Sequence, residues 1–223
     1  RTPLKILGPS SRICLAKRGD SVRVGVDLDN TIVSYDVLFH RLATERYSLP
    51  PQIASNKQAV RDFLRSQGQE LLWTELQGIA YGARMNEAPP FPGVLDFFRK
   101  CRAVGERVFV ISHRTRFPVI GQNFDLHHAA RQWLVRNGVL ADDDQRYGET
   151  QVFLAATREE KLRTIGEVDC DIFIDDLPEL LTDANFPAAV QRFLFDPQQQ
   201  HSDHSLYRRV ASWRELTDLL VPR

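Results

Sequence analysis

Two kinds of apolar pattern alternate along the chain. Short continuous apolar runs predict buried β-strands, and longer segments in which apolar residues recur every three or four positions predict amphipathic helices. The short runs are Val22–Val26, Arg107–Ser112, Gln151–Ala155, Asp171–Asp175 and Val190–Phe195. Because these runs alternate with helical segments, the pattern predicts an α/β fold, a Rossmann-like parallel sheet with helices on both faces.

The segment between the first and second strands is too long for one connecting helix. Three helical patterns fit inside it, at Tyr35–Tyr47, Lys57–Arg65 and Gln69–Arg84. A proline-rich break follows at 88–93, and a connecting helix then resumes. We therefore expect an α/β core built from residues 1–33 and 88–223, with a small α-helical insert over residues 34–87. Later helices are predicted at 123–137, around Lys161 and at 212–220, and the segment 177–181 separates the fourth and fifth strands.

Two carboxylates, Asp27 and Asp29, directly follow the first strand. Residues two apart on an extended segment point the same way, so these side chains share one side of the chain. Close carboxylates resist ionising together unless a cation or a proton intervenes. The pair therefore indicates either a site for chemistry or a solvated turn, since acidic and amide residues are also typical of turns.

Polar residues follow other predicted strands as well. Ser112 ends the second strand and precedes His113 and Arg114, which offer donors to phosphate oxygens. The fourth strand ends in Asp175 and Asp176. Thr157 followed by Glu160 resembles a capping box, which places Lys161 early on a helix, either within reach of the strand ends or solvated. Acids, a hydroxyl and a lysine together indicate a site for a doubly charged oxyanion and a hard cation.

These residues occur in the order of four motifs of the haloacid dehalogenase-like superfamily, which the chain resembles over most of its length. The family's aspartate-nucleophile phosphatases carry Asp-x-Asp-x-Thr after a strand, then a Ser or Thr, then a lysine, then an acidic pair. The matching residues here are Asp27, Asp29 and Thr31, then Ser112, then Lys161, then Asp175 and Asp176.

The resemblance implies a Mg²⁺-dependent phosphomonoester hydrolase that works through an aspartyl-phosphate. Asp27 would be the nucleophile and Asp29 the proton carrier, a role that disfavours dehalogenase and phosphonatase chemistry. The phosphate would be bound by Ser112, Lys161, Thr31 and His113. The metal would be held by Asp27, Asp29 and Asp176, with Asp29 contributing its backbone carbonyl and Asp175 supporting.

The substrate is expected to be a small phosphate ester. A looser similarity to the deoxyribonucleotidase branch, whose helical insert is a cap over the active site, favours a nucleoside monophosphate. Phe39, Trp73 and Tyr81 would then stack on a base, or instead belong to the insert's core. Arg114 would contact a second polar part of the substrate, or face solvent. A sugar phosphate remains an alternative, as does a non-catalytic binding or regulatory module of a larger protein.

Composition limits the partners and the location. The 223 residues include 29 Lys plus Arg and 29 Asp plus Glu, so no net field attracts a nucleic-acid polymer or an anionic membrane. No apolar stretch approaches the roughly 20 residues that span a bilayer, and residues 1–5 lack a signal-peptide core. Cys14, Cys101 and Cys170 are widely spaced and predicted to be reduced thiols. We expect a cytoplasmic protein. Because the sequence lacks an initial Met, we expect it to be trimmed or part of a longer chain. Nothing in the sequence predicts the oligomeric state.

Overall fold

The computed structural model describes residues 21–140 and 150–221, and its centre is a six-stranded sheet. The strands lie in the order β3-β2-β1-β4-β5-β6, and every neighbouring pair is parallel. Their bounds are β1 Arg23–Val26, β2 Arg107–His113, β3 Thr150–Ala155, β4 Ile172–Asp175, β5 Gln191–Phe195 and β6 Arg208–Val210. The predicted Rossmann-like α/β fold is confirmed.

Helices cover both faces of this sheet and so bury its strands on both sides. Alternate residues of a strand point to opposite faces, so Val108 and Val110 join one apolar cluster while Phe109 and Ile111 join another. The larger cluster includes residues of five helices, α1 Asp36–Tyr47, α2 Lys57–Ser66, α3 Glu70–Tyr81, α4 Val94–Ala103 and α5 Leu126–Arg136, and also of α8 Trp213–Leu220. The smaller one includes residues of α6 Arg158–Glu167 and α7 Pro178–Leu181.

The strand register brings the ends of three central strands together. Val26, the last residue of β1, pairs with Val110 of β2 on one side and with Ile174 of β4 on the other. The backbone amide of Asp27 continues this ladder by donating to the carbonyl of Ile174 at 2.9 Å. Residues that follow β1, β2 and β4 therefore meet at one edge of the sheet, where parallel sheets bind ligands.

The helical insert consists of α1, α2 and α3, which pack against one another. Helix α2 begins at Asn56, whose side chain accepts from the amide of Ala59 at 2.7 Å. Helix α3 ends at Tyr81, earlier than the predicted Arg84. The chain turns at Gly82, where an added Cβ would lie 2.9 Å from the Cβ of Phe124, and a 3₁₀ turn at Met85–Glu87 follows.

Other boundaries differ from the predicted ones for local reasons. Helix α5 begins at Leu126 and not at residue 123, because the carboxylate of Asp125 caps it by accepting from the amide of His128 at 2.9 Å. Strand β6 was not predicted, since three residues that include Arg208 and Arg209 make no apolar run. Cys101 and Cys170 are buried.

Cys14, the predicted core residues 1–20 and residues 141–149 lie outside the described residues. Among the helices of residues 21–140 and 150–221, none is both long and apolar enough to span a bilayer.

Gly25, in the middle of β1, provides a test of how tightly β1 packs against the side chains of Phe173 in β4 and Cys170. A Cβ there would lie 2.5 Å from Cδ2 of Phe173 and 2.9 Å from Sγ of Cys170. We expect Gly25→Ala to lower the free energy of unfolding by about 1–3 kcal/mol because the added methyl group would overpack the core. Chemical denaturation followed by circular dichroism measures this change.

Gly166→Ala is the matched control. Its added Cβ would meet only Cγ of Pro187, at an ordinary 3.5 Å, inside a helix. The free energy of unfolding should stay unchanged or rise by up to about 1 kcal/mol, because alanine favours helix more than glycine does. Equal destabilisation by both variants would contradict this account of Gly25.

Candidate active site

A tight turn after β1 carries the first two acids. The carbonyl of Leu28 accepts from the amides of Ile32 and Val33, both at 3.0 Å, and the amide of Asn30 donates to the carbonyl of Val33 at 2.9 Å. Asn30 has a φ of 59°, a left-handed conformation that asparagine tolerates better than most residues. The turn directs Asp27 and Asp29 towards the edge where β1, β2 and β4 end.

Lys161 enters the same site from the start of α6. The predicted capping box is present, since the hydroxyl of Thr157 accepts from the amide of Glu160 at 3.1 Å. The Nζ atom of Lys161 lies 2.5 Å from Oδ1 of Asp27 and 2.6 Å from Oδ2 of Asp175, and its side chain is only 2% exposed. Burial alone lowers the pKa of Lys161, but the two carboxylates outweigh it and hold the pKa above its ordinary value. Lys161 is therefore a buried cation and not a solvated one.

The two acids that end β4 have different surroundings. Asp175 is fully buried, and its second oxygen, Oδ1, accepts from the amide of Leu177 at 2.9 Å. Oδ1 of Asp176 accepts a longer bond, 3.4 Å, from the hydroxyl of Thr31. The carbonyl of Thr31 is itself held by Nε1 of Trp213 in α8, at 3.0 Å.

Three of these carboxylates have the spacing of a cation site. One oxygen from each of Asp27, Asp175 and Asp176 can be chosen so that all three lie within 4.8 Å of one another. Burial, helped by the neighbouring acids, raises the pKa of Asp27 to about 7 and the pKa of Asp176 well above its ordinary value. One lysine therefore does not neutralise the cluster. A divalent cation that prefers oxygen ligands, such as Mg²⁺, fits this donor set.

Asp29 is held by a second buried cation. Arg114, in the loop after β2, donates from Nη2 to Oδ1 of Asp29, and its side chain is 2% exposed whereas that of Asp29 is 18% exposed. Burial alone lowers the pKa of Arg114, but Asp29 and the phenol of Tyr35 raise it above its ordinary value. Arg114 therefore faces the interior and not solvent.

The remaining predicted phosphate-binding residues lie around this group. Ser112 is buried at the end of β2, two residues past Val110, the partner of Val26. His113 follows on the opposite side of the strand and is exposed, with its Nε2 atom 3.2 Å from the carbonyl of Ala156. The hydroxyl of Thr31 donates to Oδ1 of Asp176, as described above.

The three aromatic residues predicted to contact a substrate adjoin one another, with Phe39 in contact with both Trp73 and Tyr81, but they differ in burial. Phe39 and Trp73 are buried in the helical insert, with ring centroids 4.8 Å apart. Tyr81, which is half-buried, has the guanidinium carbon of Arg114 5.2 Å from its ring centroid. Tyr81 is thus the aromatic residue of this group that borders the acids.

Lys57, in the first turn of α2, was not singled out by the sequence. Its Nζ atom lies 5.7 Å from the ring centroid of Tyr81. Burial alone lowers the pKa of Lys57, but Tyr81, Asp176 and Asp29 raise it above its ordinary value. No local signal marks such a lysine, because the fold of the helical insert alone brings it towards the acids.

No protein-family model and no curated protein sequence matches the chain. Solved structures do match it. The HAD-hydrolase YfnB from Bacillus subtilis, bound to magnesium, is 13% identical with a TM-score of 0.55, over 90% of this chain and 98% of that one. A dehalogenase with an intermediate complex is 14% identical with a TM-score of 0.55, over 92% and 99%.

CbbY from Rhodobacter sphaeroides, in complex with phosphate, is 14% identical with a TM-score of 0.52, over 88% of this chain and 96% of that one. At these identities the likeness concerns the fold and not the chemistry. The chain therefore has the α/β fold of the haloacid dehalogenase-like hydrolases.

Proposed function

We propose that this protein is a Mg²⁺-dependent phosphomonoester hydrolase that works through an aspartyl-phosphate on Asp27. One observation carries the proposal. Asp27 is buried beside Lys161 and within the cation-type cluster, while Asp29, two residues later, is held by Arg114 and keeps partial access to solvent. A nucleophile, a proton carrier and a phosphate-binding cation are thus close together and have different environments.

In the proposed reaction, a carboxylate oxygen of Asp27 attacks phosphorus and the bond to the leaving oxygen breaks. Lys161 contacts Oδ1 of Asp27, so Oδ2 is the atom we assign to the attack. Lys161 and the hydroxyl of Ser112 would bind the phosphoryl oxygens as charge develops on them. Water then attacks the aspartyl-phosphate, which releases phosphate and restores Asp27.

Asp27, Asp176 and the backbone carbonyl of Asp29 would hold Mg²⁺, which reduces the repulsion between the nucleophile and the anionic substrate. Asp176 is the better side-chain ligand of the terminal pair. Both oxygens of Asp175 already have donors, from Lys161 and from the amide of Leu177, whereas a 3.4 Å bond from Thr31 is the contact described for Asp176. Asp175 would then orient Lys161.

Asp29 would donate a proton to the leaving oxygen and later accept one from the attacking water. An alkoxide leaving group needs such a proton, while cleavage of a carbon-halogen bond does not. The fold is shared with a dehalogenase, and Asp29 is the reason why we assign ester hydrolysis to this chain.

We propose a small phosphorylated metabolite as the substrate and the helical insert, residues 34–87, as a cap over the site. CbbY of the same fold is found in complex with phosphate, and a CbbY mutant in complex with xylulose-1,5-bisphosphate, which supports a sugar phosphate. Phe39 and Trp73 pack inside the helical insert, so base stacking would fall to Tyr81. A nucleoside monophosphate is thus the second candidate. Inactivity towards every phosphate ester would indicate a binding module.

Asp27→Asn tests the nucleophile. We expect phosphate release from 4-nitrophenyl phosphate with Mg²⁺ to fall by about 10³-fold or more, because an amide cannot form the aspartyl-phosphate. EDTA should abolish the wild-type activity. Asp62→Asn, on an exposed part of α2, is the matched control and should keep wild-type turnover. Wild-type turnover in Asp27→Asn would disprove the assignment.

Asp176→Asn and Asp175→Asn distinguish the two acids that end β4. For Asp176→Asn we expect the Mg²⁺ concentration at half-maximal activity to rise by about 10- to 100-fold, because a ligand charge is lost. In Asp175→Asn that concentration should rise less, while KM for the phosphate ester increases because Lys161 loses a partner. Titration of activity with Mg²⁺ measures both. A larger metal effect in Asp175→Asn would reverse the roles.

The pH dependence of stability tests the burial of Asp27. Its pKa is raised from 3.8 to about 7, so the folded protein binds a proton that the unfolded chain releases. That contribution to stability is complete below pH 3.8 and is lost as the pH rises through 7. Asp27→Asn lacks this titration. In EDTA, we therefore expect the difference in melting temperature, Asp27→Asn minus wild type, to increase between about pH 5 and pH 8. The increase should be about 2–4 °C for each kcal/mol that wild type loses in its free energy of unfolding.

Added Mg²⁺ should raise the melting temperature of wild type at pH 8 more than that of Asp27→Asn, since the cation favours the ionised carboxylate. Thermal unfolding followed by circular dichroism provides these values, with Asp62→Asn again as the control. A difference that stays constant across pH would show that Asp27 does not titrate in this range.

A further inference from the structure

Arg114 joins the core to the helical insert. Its side chain is almost completely enclosed, at 2% exposure, which is unusual for arginine. Nη2 contacts the carboxylate of Asp29, and both terminal nitrogens also have partners beside the insert. These partners are the hydroxyl of Tyr35 at 3.1 Å, the carbonyl of Tyr81 at 3.2 Å, the carbonyl of Leu126 at 3.3 Å and Sδ of Met85 at 3.3 Å.

Packing alone does not account for this arginine. Its Nε atom is buried and has no hydrogen-bond partner among the described residues. An unpaired buried donor costs stability, and apolar residues of similar volume often replace buried ion pairs without loss. The guanidinium is therefore arranged around what its terminal nitrogens bind, which is Asp29 and the carbonyl of Leu126 in the core and the ends of the insert on the other side.

We propose that Arg114 is a positioning residue for proton transfer, which holds Asp29 at the leaving oxygen and couples it to the helical insert. This inference rests on the proposed hydrolysis. Arg114 occupies Oδ1, so Oδ2 of Asp29 carries the proton. As the bond between phosphorus and the leaving oxygen breaks, that oxygen keeps the electron pair and takes the proton from Oδ2. Arg114 stabilises the carboxylate that remains, which then accepts a proton from the attacking water.

The coupling follows from where the partners lie along the chain. Tyr35 directly precedes α1, Tyr81 is the last residue of α3, and Met85 lies in the 3₁₀ turn after it. The two connections between the insert and the core thus both contact one guanidinium. The four N–H groups of the two terminal nitrogens lie in one plane and reach partners in both the core and the insert, whereas the ammonium of a lysine has three donors and no plane.

The test is the dependence of kcat/KM on the leaving group, because kcat/KM reports the steps up to departure of that group. A 4-nitrophenolate leaves without a proton, while an alkoxide needs one. For Arg114→Met we expect kcat/KM for an alkyl phosphate to fall by about 10²-fold or more, and kcat/KM for 4-nitrophenyl phosphate to change by less than about threefold. Tyr35→Phe, which removes one support of the guanidinium, should show the same selectivity with a smaller loss.

Arg116→Met is the matched control, since Arg116 is two residues away and exposed, with a surface ion pair to Asp125. It should leave both substrates unaffected. Arg114→Lys should recover only part of the loss on the alkyl phosphate. An equal loss on both substrates in Tyr35→Phe and Arg114→Met, or no loss in either, would overturn the inference. Wild type that hydrolyses neither substrate would instead refute the proposed function.

Discussion

Charge balance at the carboxyl edge of the sheet is the constraint on which the site depends. Four acids meet there, and carboxylates removed from water repel one another and resist ionisation. Two buried cations help to make the arrangement tolerable, Lys161 between Asp27 and Asp175, and Arg114 against Asp29, and Lys57 adds a positive charge near Asp176. The balance is incomplete, because the pKa of Asp27 still rises to about 7. The remaining negative charge would favour a divalent cation at the cluster.

The two cations reach the acids from different parts of the fold, and this separates their roles. Lys161 comes from a capped helix of the core and contacts the acids that end two adjacent strands. Arg114 comes from the loop after β2 and is surrounded by the connections to the helical insert. Lys161 is therefore positioned by the core alone, whereas the position of the neighbouring Arg114 also depends on the insert. The proposed hydrolysis would have to exclude water first and use one water later, and separate supports for the two charges would allow this.

Much of the fold was predictable because strand and helix periodicities are local. The apolar runs located β1 to β5, and the Thr157-Glu160 pair located the helix that carries Lys161. The acids at the strand ends followed from the parallel order. The inward direction of Arg114 was not predictable, since its partners come from distant parts of the chain, and a burial that tertiary contacts create leaves no local pattern. Lys57 was missed for the same reason. The sequence also could not tell which aromatic residues are buried in the insert, as Phe39 and Trp73 are, and which lies beside Arg114, as Tyr81 does, because this depends on how the insert folds.

The hydrogen bond from Trp213 to the carbonyl of Thr31 links the last described helix to the turn that carries Asp27 and Asp29. The indole is fully buried, with Phe97 and Phe195 at centroid distances of 5.0 Å and 5.6 Å. During synthesis this turn emerges from the ribosome long before the helix does. The nascent chain therefore carries all four acids while one support of their geometry is still missing, and the proposed Mg²⁺ site would be complete only after α8 has docked.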